Sequence, residues 1–298
     1  MKQRLVFIVN PISGTRQRLK KQLPQAIERY LDHEQFDYTL HYTEYPGHAH
    51  DIAQDVVRMQ SADIIAVAGG DGSVNEVVQV ILHSDIKLGI LPFGSGNGLA
   101  RHLGFPMQIK KMIEILNRHV VRNMDVVKVG DEVAVSNVGM GFDGYVSTLF
   151  ERLDTRGFWG YAIGVLKGAW RYPGFPYRLW YNGSELSGKA FMLTAFNSNQ
   201  HGYNMKMAPQ ASLNDGKLDV YVLADFPRWK LPLIVAQVLL NQHHRSRYFT
   251  YVKAKEVRLQ TEEPAHLHID GEPAGKVQSL HIEVLYKAIK VIAAHGKI

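Results

Sequence analysis

A chain of 298 residues, 46% hydrophobic and 21% charged, has room for two ordinary domains with cores of their own and the balance of a globular protein. It has no cysteine, which excludes disulfides, thiolate metal centres and cysteine nucleophiles, and no apolar run of about 18 residues, which excludes a helical membrane span. A formal charge of +6 and a pI of about 9.3 suit anionic partners such as nucleotide phosphates or an acidic membrane surface, although solubility alone explains such a charge equally well.

Met1 to Arg4 carries no secretory h-region, so a cytoplasmic protein is expected. Leu5 to Val9 reads as a buried strand that Asn10-Pro11-Ile12-Ser13-Gly14 breaks. A helix is expected from about Thr15 to His33, with a basic start (Arg16, Arg18, Lys20, Lys21) and a kink or restart at Pro24. Phe36 to Tyr42 alternates as a strand, Thr43 to Gly47 is a turn, and His48 to Met59 reads as a helix. Asp63 to Ala68 is a nearly continuous apolar run suited to a parallel strand covered on both faces. This alternation predicts βαβ units with right-handed crossovers.

Gly69-Gly70-Asp71-Gly72-Ser73-Val74-Asn75-Glu76 comes next. Its glycines let the backbone approach a ligand, and Ser73 with Glu76 reads as a capping box that sets the positive end of a helix beside them. Together these make a phosphate cradle. Asp71 suits an anion site only if Mg²⁺ bridges it to a nucleotide or if it takes a proton from an incoming hydroxyl; a plain helix cap is the other reading. Lys87 to Pro92 and Phe93-Gly94-Ser95-Gly96-Asn97-Gly98 repeat the strand and glycine turn, at the sheet end where open α/β folds bind ligands. Neither turn is a P-loop or G-x-G-x-x-G.

Beyond the helical stretch Lys110 to Asn117, strands are expected over Val120–Val129 and Glu132–Val138, with a domain boundary near Met124-Asp125. Two helical segments follow, about Phe142 to Leu153 and Phe158 to Tyr172. After them come short strands at Tyr177–Tyr181, Lys189–Asn197, Leu218–Leu223, Phe249–Lys253, Glu256–Gln260, His266–Asp270 and Leu280–Tyr286, which predict an antiparallel sandwich or barrel. His266, His268 and Asp270 share one strand face, read as a polar face in preference to a metal set. Leu231 to Leu240 is an apolar helix with Arg228, Trp229 and Lys230 before it and His243, His244, Arg245 and Arg247 after it. Its leucines suit core packing, and its flanks suit an anionic membrane. Basic residues do not interleave with aromatics as on an RNA-binding sheet, so no nucleic-acid partner is expected.

Four motifs, Asn10-Pro11-x-Ser13-Gly14, Gly69 to Ser73 with Asn75-Glu76, Gly94-Ser95-Gly96-Asn97 with Ala100-Arg101, and Asp270-Gly271-Glu272, occur in the order and rough spacing of the diacylglycerol kinase catalytic-domain family. That family includes bacterial lipid kinases, sphingosine kinases and ceramide kinases, and the chain resembles it over nearly its whole length. The resemblance implies an α/β nucleotide-binding domain with a parallel sheet, similar to NAD kinases and phosphofructokinases, over residues 1–124 with about 287–298. It also implies an antiparallel β-sandwich carrying the lipid site over residues 125–286, and an active site in the cleft between them.

By the same resemblance, the activity is transfer of the γ-phosphoryl group of ATP to a lipid hydroxyl, with Mg²⁺ as cofactor and peripheral contact with a membrane; a homodimer is an allowed assembly. Asn10, Ser13, Gly14, Thr43, Gly70, Asp71, Gly72, Ser73, Asn75, Glu76, Ser95 and Asn97 match nucleotide-binding positions. Glu272 matches the general base, and Asp71 stands nearest the catalytic metal or shares the base role. Asp125 supplies a further acid to the metal shell. Asp215 matches a turn that holds a structural Mg²⁺ with the Ser212 and Lys217 carbonyls, although Asn214-Asp215-Gly216 also reads as a hairpin turn. Asp143 lies where sphingosine-type members bind the lipid head group, or else caps the helix that follows. Gly98 departs from the Asp of many bacterial members and puts the metal shell and a diacylglycerol acceptor in question. An NAD-kinase-like enzyme and a catalytically silent nucleotide- or lipid-binding regulator are the alternatives.

Overall fold

The computed structural model describes residues 2–14, 20–152, 158–200 and 207–294. The apolar run at the amino terminus forms β1 (Gln3–Val9), which pairs in parallel with β2 (Phe36–Tyr42) and β3 (Ile64–Gly69). β3 in turn pairs in parallel with β4 (Lys87–Pro92), and every residue of β3 is buried, as a strand covered on both faces requires. The covering helices are α1 (Leu23–Tyr30), α2 (His48–Met59), α3 (Asp71–Ile81), α4 (Gly98–His102) and α5 (Ile109–Arg118). Helical spacing of apolar residues decides their buried faces: Ala49, Ala53 and Val56 on α2, and Met112, Ile113, Ile115 and Leu116 on α5. Pro24 sits in the first turn of α1, so the proline restarts a helix; Thr15, Arg16 and Arg18 lie outside the described residues.

The rest of the chain supplies β5 (Val121–Val129), β6 (Glu132–Ala134), β7 (Asn137–Gly141), α6 (Phe142–Arg152), α7 (Phe158–Arg171), β8 (Phe175–Tyr181), β9 (Ser184–Phe196), β10 (Leu218–Ala224), α8 (Leu231–Leu239), β11 (Phe249–Ala254), β12 (Glu256–Ile269) and β13 (Glu272–Ile292). These strands pair with one another antiparallel, while β13 also pairs in parallel with β4 at Lys290 and Val291. Among the described residues the strands therefore form one continuous network, mostly antiparallel, in the order β11-β10-β9-β7-β12-β13-β4-β3-β1-β2, with β5, β6 and β8 off this path.

The join is β13, a strand of 21 residues that bends where its register to β5 shifts between Leu285 and Ile289 and Lys287 takes a φ of +53°. The stretch expected to return to the first half, about 287–298, contains this parallel pairing; residues 295–298 lie outside the described residues. β5 crosses between two cores: Met124 and Val126 pack with the first, Val127 and Val129 with the second. It runs unbroken through the predicted boundary at Met124-Asp125.

Three local expectations are corrected. The capping box of Ser73 and Glu76 does not form: α3 begins at Asp71 with Gly70 at its N-cap. The Glu76 carboxylate instead accepts the backbone N–H groups of Gly47 and Ala49 at the start of α2 (3.2 and 3.1 Å), and the Ser73 hydroxyl accepts from Asn10 (3.0 Å). The strand expected over Glu132–Val138 breaks at Val135-Ser136, because the Asp270 carboxylate binds the N–H groups of Val135, Ser136 and Asn137. The strands expected at Glu256–Gln260 and His266–Asp270 are one strand, β12, whose register to β13 slips between Gln260 and Ala265.

Candidate active site

Three loops at the carboxyl ends of β1, β3 and β4 meet backbone to backbone. A Cβ on Gly94 would lie 2.5 Å from the Gly70 Cα, and one on Gly14, which has a φ of +62°, would lie 2.3 Å from the Phe93 carbonyl oxygen. No side chain fits between these loops, which is the physical reason for glycine at each contact. Asn10 holds the first loop: its Oδ1 accepts the N–H groups of Ile12 and Ser13 (both 3.1 Å), and its Nδ2 donates to Ser73 Oγ (3.0 Å). Lys20 is buried and donates to the Asn10 carbonyl (2.7 Å), the Ser13 carbonyl and Ser13 Oγ (2.8 Å), and burial pulls its ammonium below the usual lysine range. Thr43 is buried at the end of β2, where its N–H donates to the Val9 carbonyl (2.9 Å). Ser95 is exposed, while Asn97 is buried in the left-handed region (φ +53°) and donates to the Gly94 carbonyl (2.7 Å).

Asp71 opens α3 and faces the third loop, where its carboxylate accepts the N–H groups of Gly98 (3.1 Å) and Leu99 (3.3 Å). Burial pushes this carboxyl above its ordinary value, against the pull of the Gly98, Leu99 and Asn97 N–H groups and of the Arg101 cation. Gly98 thus contributes its backbone N–H to Asp71, in place of a second carboxylate. The Asp71 carboxylate, on a half-buried residue beside the glycine loops, is a hard oxygen donor of the kind Mg²⁺ takes.

The Asp270-Gly271-Glu272 turn joins β12 to β13. Asp270 and Gly271 take φ of +51° and +90°, and Ile269 pairs with Glu272, so two residues close the hairpin with the geometry that favours Asp-Gly. Asp270 points inward, where its carboxylate accepts four donors: the N–H groups of Val135 (2.8 Å), Ser136 (2.7 Å) and Asn137 (3.0 Å), and Nδ2 of Asn75 (2.8 Å). Asn75 lies on α3, so the helix that begins at the glycine loop is tied directly to the turn that carries Glu272. Asn75 is a residue of this tie and Glu76 one of the α2 start, while Glu272 stands exposed at the turn.

Asp143 is buried at the start of α6 and bonds inward to Thr194 Oγ1, to His268 Nε2 (3.1 Å) and to the Gly144 N–H (3.0 Å). The Gly271 N–H donates to His268 Nδ1 (3.2 Å), so Nδ1 is the acceptor and the ring proton sits on Nε2, facing the carboxylate. His268 therefore joins Asp143 to the turn before Glu272, a link that spacing along β12 does not reveal. Gly139 makes room for this pair: a Cβ there would lie 2.1 Å from Asp143 Oδ2 and 2.2 Å from His268 Nε2.

Asp125 and Asp215 lie at a different place. Asp125 is fully buried, and its two carboxylate oxygens accept the N–H groups of Gly216 (2.6 Å) and Lys287 (2.7 Å), which pins the bend of β13. Burial holds its carboxyl above the ordinary value against those two N–H groups. Asp215 accepts the Lys217 N–H (3.1 Å) and pairs with the Lys253 ammonium (2.8 Å), which also reaches Asp219 (3.3 Å). The Ser212 hydroxyl donates to Asn214 (3.0 Å), and residues 213–216 form a turn against Asp125, not a hairpin between paired strands. The Lys253 ammonium stands at the Asp215 carboxylate, on a side chain that is about one-third exposed.

Comparison with known proteins places these loops in a family. Residues 4–129 match the family described as diacylglycerol kinase catalytic domain, and residues 136–293 match the one described as YegS C-terminal NAD kinase beta sandwich-like domain. The chain is 28% identical to the diacylglycerol kinase of Bacillus subtilis (strain 168) over 302 aligned residues, covering 99% of this chain and 98% of that protein. It is 29% identical over 230 residues to a Chromohalobacter salexigens protein named "Probable lipid kinase YegS-like", covering 74% of this chain and 73% of that one. A crystal structure of a diacylglycerol kinase from Bacillus anthracis str. Sterne superposes with a TM-score of 0.75 at 21% identity over 99% of this chain and 98% of that chain. A second structure from that organism gives 0.82 at 24% identity over 99% and 97%. At these identities the structural likeness is one of fold.

Proposed function

Because the chain belongs to the family that joins a diacylglycerol kinase catalytic domain to a YegS-type β-sandwich-like domain, we propose that it is a lipid kinase that moves the γ-phosphoryl group of ATP to the hydroxyl of an amphipathic lipid such as diacylglycerol or a sphingoid base. The observation that carries the reading is the Asn75–Asp270 bond, which ties the glycine-loop helix to the turn holding Glu272. A phosphate cradle and an exposed carboxylate are thereby fixed to one another, as in-line transfer demands.

In this reading residues 1–124 with about 287–298 form the nucleotide-binding part, and residues 125–286 the lipid-binding sandwich. The backbone N–H groups of the loops at Asn10–Gly14, Gly70–Ser73 and Gly94–Asn97 hold the ATP phosphates, with Thr43 and Ser95 lining the pocket. Lys20 keeps the first loop in shape. Glu272 accepts the proton of the lipid hydroxyl; the freed oxygen bonds to the γ-phosphorus as the bond to the β–γ bridging oxygen breaks, and ADP leaves. When bound, Mg²⁺ neutralises charge on the phosphate oxygens, and Asp71 is the residue that would hold it. Asp125 and Asp215 stay outside that shell as a staple of the β13 bend and a partner of Lys253. Asp143 orients His268 and so steadies the turn before Glu272, in preference to binding a lipid head group.

The test is label transfer from γ-labelled ATP to a panel of diacylglycerol, sphingoid base, ceramide and phosphatidylglycerol. Label is expected in one lipid, with Glu272→Gln lowering turnover about 100- to 10,000-fold at unchanged ATP affinity and Asp71→Asn lowering it through nucleotide and metal binding. Nucleotide binding without label in any lipid refutes the kinase reading.

A further inference from the structure

Residues 155–184 and 226–255 contain no Asp or Glu, yet together they hold ten Lys and Arg residues, and among the described residues of 125–286 the two stretches supply the most exposed large apolar side chains, Trp229, Leu239, Leu240 and Trp170. α8 turns Leu231 and Ile234 into a cluster with Phe142, Ala169, Phe191 and Phe226, and leaves its other face bare. Leu239 is 67% exposed, Leu240 66% and, just before the helix, Trp229 71%. α7 packs Ala169 into the same cluster and exposes Trp170.

Among the described residues, Lys230 and Arg247 face no carboxylate within ion-pair distance and rest on rings. The Lys230 ammonium lies over the Trp229 and Tyr248 rings (5.0 and 5.2 Å) and donates to the Tyr248 hydroxyl (3.0 Å), and Arg247 lies over the Tyr248 ring (5.1 Å). Aromatic rings with cations over them, bordering an exposed leucine face, match the chemistry of a bilayer interface: apolar side chains enter the acyl boundary while the cations meet anionic head groups. Arg228, by contrast, is held by Asp225 (2.8 Å) and serves the fold.

We propose that the α8 face, with Trp229 and Trp170, is the surface by which the protein docks on an anionic lipid bilayer. This rests on the lipid-kinase reading for its purpose and not for its geometry. The buried cluster beneath the face runs from Ile234 through Phe191 to Phe142, the residue before Asp143, and Tyr145 on α6 touches the His266 ring (5.4 Å).

The experiment is co-sedimentation of the full chain with vesicles of phosphatidylcholine alone and of phosphatidylcholine with one quarter phosphatidylglycerol, with Trp fluorescence as second readout. Wild type is expected to bind the anionic vesicles at least tenfold more tightly, with a blue-shifted emission. Leu239→Ser/Leu240→Ser and Arg245→Glu/Arg247→Glu should each weaken that binding at least tenfold, while turnover of a short-chain lipid acceptor dispersed as monomer stays unchanged. Equal binding to both vesicles, or binding unaltered in both double variants, overturns the proposal. So does a dimer in sedimentation velocity that Leu239→Ser/Leu240→Ser dissociates without loss of vesicle binding, because the face would then belong to a second copy. Vesicle binding with no lipid labelled leaves the docking surface standing and refutes the kinase reading alone.

Discussion

At the scale of single residues, the cradle is made by what is missing. Alanine at Gly94 would put a methyl 2.5 Å from backbone, where nothing flexible gives way, so the second and third loops must separate. Gly94→Ala is expected to cost about 1–3 kcal/mol in urea unfolding and to weaken a non-hydrolysable ATP analogue at least tenfold by calorimetry. Gly72 has nothing within 4 Å of the same added atom, and Gly72→Ala should leave stability within about 0.5 kcal/mol of wild type. A different residue sets the response to acid. His243 is buried among the rings of Tyr221 and Phe249, and burial, aided by His244, holds its imidazole below the ordinary histidine value. The unfolded chain then binds the proton first, so stability present above about pH 6.5 is lost as pH falls toward the folded value, with a slope of at most about 1.4 kcal/mol per pH unit for this one proton. The urea midpoint should drop between pH 7 and 5.5 and drop less in His243→Phe; His119, also lowered by burial, keeps the remaining slope above zero.

At the scale of elements, the hairpin of β12 and β13 is steered by one carboxylate. Asp270 takes two N–H donors on each oxygen, so Asp270→Asn sets an NH₂ group against two donors and is expected to cost about 2–4 kcal/mol, read in urea unfolding. Asn75→Ala removes one donor of the four and should cost about 1 kcal/mol, while slowing transfer more than it weakens ATP, because it loosens the turn and not the cradle. These contrasts mark what a sequence can show. The glycine loops, the fully buried run of β3 and the apolar stripes of α2 and α5 are legible because residue type and spacing decide them locally. The partners of Glu76 are 27 and 29 positions away, and those of Asp125 are 91 and 162 away. A side chain that satisfies distant backbone leaves no periodic trace, so the spacing of Ser73 and Glu76 reads as a capping box, and the backbone partners of Asp125 are not legible. The D-G-E motif is legible in the sequence, but not that its aspartate is the anchor and its glutamate the exposed group.

At the scale of the whole molecule, β13 decides whether two cores behave as one. It pairs with β12 at one end and with β4 at the other, and β5, paired along it, contributes side chains to both cores. Separating the halves would strip the β13–β4 and β13–β5 ladders and unseat Asp125, whose carboxylate would lose the Gly216 and Lys287 N–H groups while still buried. Such costs couple the halves, and a single cooperative transition is expected. The chain supplies two probes: all four tryptophans, Trp159, Trp170, Trp180 and Trp229, lie in the second half, whereas helical circular dichroism is summed over both halves, from α1 to α5 in the first and α6 to α8 in the second. Urea curves from the two signals should coincide within error, and an ATP analogue at 100 times its Kd should move both by the same increment, about 2.7 kcal/mol, although the loops proposed to bind it lie in the first half. Asp125→Ala should part the two curves, because the bend of β13 loses its staple. A fluorescence transition that precedes the loss of helix in wild type would mean that β13 does not transmit the stability of one core to the other.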